Sequence, residues 1–289
     1  MYLVCYFSCS KGTTMLANNP LKQYFRRPSM YFKLPSDGKY YEAGVVNIPE
    51  NRELPVYPMT AIDEMTVRTP DGLFNGAAIV DLIKSCVPNI LNPWKLNSID
   101  MDAVIIAVKA ASSDGVMEIH SICPSCSEDT KYDIDLLPIL SSIVDVDYEQ
   151  PLPVRELLIK FKALTYKETN DNSLKQFEIQ KTLAAISNVE DEEQKRTIMA
   201  ESIGRLNKLV IEIIAQTIDY IQTPETKVSD KTFIIDFLNN CDKNTSNLIK
   251  DHSIALREKN ELKPIDVTCP NCQHKYDQRI IMNATDFFE

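Results

Sequence analysis

"HSICPSCSEDTKYDIDL" (residues 120–136) and "DVTCPNCQHKYDQRII" (residues 266–281) say nearly the same thing at two distant points of one chain. Each holds a CPxC hook: Cys123 and Cys126 in the first, Cys269 and Cys272 in the second. Four thiolates in two such hooks match the donor set of a tetrahedral structural zinc site. The spacing has a physical cause. A tight turn at a strand end can aim backbone amides at thiolate sulfurs, and proline after the first cysteine pre-sets φ for that turn. Strand-like alternation flanks both hooks, and Tyr-Asp follows each (Tyr132-Asp133, Tyr276-Asp277). Two equivalent knuckles facing one another would clamp residues near 125 to residues near 270. The chain between them then becomes an insertion, and metal binding contributes folding free energy directly.

Paired CxxC hooks have other uses in proteins. A redox CxxC favours a helix N-terminus, where the dipole lowers the thiol pKa, whereas strands are expected here. A catalytic zinc keeps an open position; four cysteines close the shell, so His120 and His274 would enter only if a thiol were displaced. An iron–sulfur cluster also takes four cysteines, often at tighter local spacing. Structural zinc is the reading adopted, with iron as the alternative.

Composition narrows the function classes. Seven glycines in 289 residues are few, and neither GxGxxG nor GxxxxGK[ST] occurs, which argues against nucleotide-binding turns. A net charge of −10 argues against a protein that wraps nucleic acid. No run reaches the roughly 18 to 20 apolar residues that span a bilayer. The opening "MYLVCYFSC" lacks a basic n-region and a small-residue cleavage site, so a buried arm or a later start at Met15 or Met30 is expected. Cysteines without a secretory signal read as thiols or metal ligands, not disulfides. Cys86 and Cys241 are expected in helices as buried thiols; His252 reads as structural. No Ser/His/Asp or Cys/His arrangement is suggested, so no enzyme and no catalytic residue is expected.

Along the chain, prolines at 20, 28, 35, 49, 55 and 58 keep residues 15–60 extended. Aromatic and basic residues interleave there, including Tyr24, Phe25, Arg26, Arg27, Tyr31 and Phe32, with Lys33 and Lys39 beyond. Such an arm either crosses its own domain or docks on another chain; single-stranded nucleic acid is a weaker third use. "EMTVRTP" (64–70) reads as a strand, with a turn at Asp71-Gly72. Asn75 can cap a helix carrying Ala78, Ile79, Leu82, Ile83 and Cys86. Another helix follows Ser98. "VMEIHSI" alternates into the first hook, "KYDIDL" alternates out of it, and 153–164 reads as one strand. From 173 to 258 the pattern is helical: 191–222 with Ile and Leu at three and four, then about 230–241 and 244–258. The run "EDEEQK" (190–195) reads as a solvated first turn. Trp94 sits on an expected loop, as a contact anchor or as core.

These readings assemble into an α+β chain: an extended N-terminal arm (1–60), a strand-and-helix body with the first knuckle (61–150), a mainly helical insertion (151–262), and the second knuckle closing a split four-cysteine zinc ribbon (263–289).

The stretch 56–112, running on into "EIHSICPSC", resembles the baseplate hub and hub-assembly proteins of T-even-type contractile-tailed phages. "YPMTAIDE", "TPDGLFNG", "IKSCVPNI" and "NPWKLNSID" carry the likeness, and "NPLKQYFRRPSMYFKLPSDGKYY" (19–41) resembles the family's N-terminal arm. The helical remainder is similar only in general character, and the chain is long for the family. The resemblance implies a structural or assembly role at the centre of the baseplate, without covalent catalysis. It implies hub and tail proteins as partners in a multi-copy assembly, and a place in the virion after assembly in the host cytoplasm. Some members are particle components and others assembly factors. A zinc-ribbon nucleic-acid accessory factor, bound through Arg26, Arg27, Lys33 and Lys39, is the competing reading.

Overall fold

The computed structural model describes residues 19–68, 76–186 and 191–279. The first core forms around one helix, α3 (Ser98–Ser112). Met101, Val104, Ile105, Ile106 and Val108 lie on every side of it and all are buried. A helix apolar all round has to be surrounded, and neighbours come from several parts of the chain. They are α2 (Ala77–Cys86), the ribbon β1 (Met30–Phe32) and β2 (Leu54–Val56), the hairpin β3 (Val116–Ile122) and β4 (Asp129–Asp135), and α4 (Leu136–Ser142). Strand β1 pairs antiparallel with β2, Phe32 opposite Leu54. Phe32, Leu34, Leu54 and Val56 enter the core. This part of the arm therefore crosses the body of its own chain.

The crossing is fixed by a buried carboxylate. Asp100, in the first turn of α3, accepts from the Ser36 amide at 2.9 Å, from the Ser36 hydroxyl, and from the Tyr41 hydroxyl at 2.5 Å. Tyr41 in turn accepts from the Asn97 amide at 3.1 Å. Burial pushes the Asp100 carboxyl above its ordinary pKa, against the pull of these donors.

A second core lies on an antiparallel sheet with strands in chain order: β5 (Leu152–Val154), β6 (Leu157–Phe161), β7 (Ile218–Gln222) and β8 (Lys227–Val228). Between β6 and β7 the chain runs out along α5 (Tyr166–Ala185) and back along α6 (Glu192–Thr217); α7 (Lys231–Asn240) and α8 (Lys243–Asn260) follow β8. Ile159, Phe161, Ile218 and Ile221 meet Ala215, Ile234, Leu238, Ile249 and Leu256. The sheets are antiparallel and the helices pack beside them, as in α+β folds.

Four local expectations differ from the structure. Residues 64–67 of the expected strand belong to a helix, α1 (Ala61–Val67), because Thr60 and Asp63 form a reciprocal capping box. The single strand expected over 153–164 is the hairpin β5–β6, turned at Arg155 with φ 54°. The helix expected over 191–222 stops at Thr217, and β7 follows; α5 begins at Tyr166 behind a Thr165–Glu168 capping box, earlier than expected. Gly76, with φ 75°, is the N-cap of α2; Asn75, the turn at 71–72 and the first 18 residues lie outside the described residues. Among the described residues no helix is long and apolar enough to cross a membrane.

Candidate metal centre

The two hooks sit at the tips of two hairpins, β3–β4 and β9 (Ile265–Thr268)–β10 (Lys275–Gln278). Each turn is built alike. The Cys123 amide donates to the Glu128 carbonyl at 2.9 Å, as the Cys269 amide does to His274, also at 2.9 Å. Ser127 and Gln273, one residue past each second cysteine, both take φ 59°. Both return their amides to the first cysteine's carbonyl, each at 2.9 Å. Neither hook opens a helix, the setting that lowers a redox thiol's pKa.

The hairpins bring the four sulfurs together. Cys123 lies 3.6 Å from Cys272, and Cys126 lies 3.6 Å from Cys269. All four Sγ atoms fall within 4.8 Å of one another. Zn–S bonds of about 2.3 Å place tetrahedral sulfurs about 3.8 Å apart, so the cage fits one ion. A polynuclear iron cluster holds its cysteines on separate irons and needs a wider cage. The four cysteines lie close enough to bind a metal.

The charges also call for a cation. Burial works against ionisation of Cys123, yet the amides of Cys126 and Ser125 and the Cys272 thiol pull it down to about 7. At Cys126 the Glu128 amide favours the thiolate, but hydrogen bonding from Cys272, burial, and the Cys269 and Cys123 thiols push it up to about 12. Sulfurs this close cannot all ionise unaided; a divalent ion at their centre allows it. The Asn271 amide nitrogen, 3.8 Å from the Cys126 sulfur, is a further donor to it. His120 and His274 stay out of the cage; His120 lies 3.8 Å from Glu118 and from Asp129.

Below the cage a hydroxyl chain ties hairpin to hairpin. Ser121, buried, donates to Gln278 Oε1 at 2.5 Å. Its single proton is then spent, so Tyr276 donates to Ser121 at 2.9 Å and Tyr132 to Tyr276 at 3.4 Å. The tyrosines of the repeated Tyr-Asp thus meet across the interface. Ser121 and Gln278 escaped the sequence reading, because only alternation along β3 marks Ser121 as inward-facing.

The family described as T4 bacteriophage base plate protein matches residues 30–289. The chain belongs to this baseplate family. No curated protein and no solved structure matches it. Membership implies a place in the phage tail and association with other tail proteins.

In this baseplate protein the arm residues separate into two sets. Tyr24, Phe25, Arg27 and Tyr31 are exposed. Phe32 is buried, and Arg26 turns inward between α1 and α2: it donates to the Pro58 carbonyl (2.5 Å), Asp63 (3.0 Å) and both oxygens of Ser85 (2.9 and 2.7 Å). Trp94 is half-buried and stacks on Tyr166 of α5, ring centroids 5.4 Å apart. Cys86 is buried, its thiol pushed up to about 11 by burial and by Asp63. Cys241 is half-buried where α7 ends, and His252 packs on the Phe161 ring at 4.9 Å.

Proposed function

We propose that this protein is a structural component of the central hub of the phage baseplate, with one zinc ion held by Cys123, Cys126, Cys269 and Cys272. The closed cage carries the structural reading. Four thiolates complete a tetrahedral shell, leaving no position for a substrate. The ion joins a hairpin rooted in the first core, through Met117 and Ile134, to one that returns after the helical segment through Ile265. Its work is to hold both knuckles in one register, without covalent catalysis. The resemblance of 19–41 and 56–112 to hub proteins supports the position at the hub.

Neighbouring baseplate proteins are met through the exposed arm residues Tyr24, Phe25, Arg27 and Tyr31, while Arg26 and Phe32 brace that surface from inside the chain and Trp94 packs away from it, on Tyr166 of α5. Tyr and Arg are the residue types enriched at interface hot spots. The nucleic-acid reading has less support, since Arg26 is engaged internally and Lys39 lies 3.4 Å from Asp145. Mass spectrometry of purified virions tests the proposal: the protein is expected at a stoichiometry set by baseplate symmetry. Absence from virions, with presence in assembly intermediates, would replace it with a hub-assembly factor.

A further inference from the structure

Helix α6 carries a stripe that the fold covers at only one end. Met199, Ile203, Leu206, Val210, Ile213 and Thr217 recur at alternating steps of four and three, the a/d pattern of a coiled-coil seam. At its C-terminal end the stripe adjoins the face that meets α5, where Asn172 bonds Gln216 at 2.6 Å and Lys175 reaches Glu212 at 3.2 Å, and Thr169, Asn172 and Gln176 of α5 share a cavity with it. At the C-terminal end, Val210, Ile213, Ile214 and Thr217 line a cavity of about 510 Å³ whose far wall is α8, with Lys250 and Arg257 at its edge. Toward the N-terminus the stripe is open to solvent except at Leu206, which is half-buried. Val210, Ile203 and Met199 are 46%, 45% and 53% exposed. From Met199 to Val210 the uncovered seam runs about 16 Å, at about 1.5 Å per residue.

The charges at its two ends are opposite. Asp191, Glu192 and Glu193 open α6, exposed, before the open seam, with Glu192 also reaching Lys195 at 2.7 Å. Lys250 and Arg257, seven residues apart on α8 and both exposed, stand at the covered end. Among the described residues Arg257 reaches an exposed Glu261, at 3.7 Å. We propose that a second copy of this chain covers the seam, the two α6 helices packing antiparallel about a twofold axis near Ile203 and Leu206. Antiparallel pairing lays the acidic first turn of each copy against Lys250 and Arg257 of the other, and the twofold makes that contact twice. A single self-complementary surface then supplies both the apolar centre and the paired charges. The inference does not rest on the hub reading, because a particle component or an assembly factor can pair in this way.

Sedimentation equilibrium of the full-length, zinc-loaded chain tests it. The expected species is twice the 32.8 kDa chain mass. M199D/I203D should raise the dissociation constant at least tenfold, with helical content by circular dichroism and bound zinc unchanged. K250E/R257E should weaken the dimer, and adding E192K/E193K to the same chain should restore it, since only the antiparallel arrangement brings those charges together. A wild-type chain that stays monomeric overturns the proposal and leaves the seam to a different protein. A dimer indifferent to M199D/I203D, or charge reversals without rescue, overturns it equally.

Discussion

Arg26 Nη1 sits 3.0 Å from Asp63 Oδ2, and the same carboxylate closes the capping box of α1 by accepting from the Thr60 amide and hydroxyl, both at 2.8 Å. One residue of the arm thus completes a helix start and grips Ser85 at the end of α2. Burial works to raise the Asp63 pKa, but the Thr60 amide, the Ser85 and Thr60 hydroxyls, and Arg26 outweigh it and hold the carboxyl below its ordinary value. A depressed folded pKa means stability that is present above the unfolded value and lost as pH falls through the folded one.

Arg26→Ala should therefore cost about 2 kcal/mol, below the full cost of breaking a buried pair because Arg26 is partly exposed. Urea unfolding at neutral pH measures it. Arg26→Lys should recover little, since an ammonium cannot fork between Asp63 and Ser85. The gap between wild type and Arg26→Ala should narrow as the solution is acidified through the Asp63 pKa. A pH-independent gap would show that Arg26 acts through packing and its bonds to Pro58 and Ser85, without the Asp63 pair.

Elemental analysis of reductively purified protein should find about one zinc per chain, as one four-thiolate site requires. Replacing Cys126 or Cys269 with serine should abolish that stoichiometry. A strong chelator should lower the midpoint of thermal unfolding by 10 °C or more, in the direction expected when metal binding is folding free energy. Hydrogen exchange should then speed up in β9–β10 ahead of the helices. A folded, metal-free protein with an unchanged midpoint would refute the clamp.

Tyr41→Phe removes one oxygen that serves two buried partners, the Asp100 carboxylate and the Asn97 amide. Leaving both short of a bond should cost about 2–3 kcal/mol, measurable by urea unfolding. A loss below 0.5 kcal/mol, on the order of a neutral surface change, would mean that water replaces the hydroxyl.

The sequence read the metal centre more clearly than the helical segment, for physical reasons. A CPxC hook is local: its proline, its cysteines and the flanking alternation all lie within one hairpin. Helices α3 and α6 are long enough for their apolar positions to declare them. By contrast α1 spans only seven residues, and the alternating residues of 64–67 lost to a cap at Thr60 upstream of them. Strand β7 continues the Ile-rich face of α6 without a break in hydrophobicity; the change from helix to strand comes from pairing with β6, a partner far away in sequence. Arg26 read as a contact residue of the arm because its acceptors sit at positions 58, 63, 85 and 86, which no window around residue 26 contains.

Trp94 is the last residue whose two sequence readings can be separated. It lies on the 3-10 turn Pro93–Lys95, stacks on Tyr166, and has the Lys167 ammonium 5.7 Å from its ring centroid. Nearby, the Tyr166 amide donates to the Leu96 carbonyl at 2.7 Å and the Ser98 amide to Leu164 at 3.1 Å. The ring therefore bridges the entry of α3, in the first core, and the entry of α5. Trp94→Ala should cost about 2–3 kcal/mol through lost packing and stacking, and Trp94→Phe should keep most of it. Because the chain has a single tryptophan, its fluorescence reports this joint alone, and its unfolding transition should coincide with that of the far-ultraviolet signal. A Trp94→Ala chain of wild-type stability that fails to enter virions would reverse the assignment, making the ring a contact for a neighbouring baseplate protein and not the brace between α3 and α5.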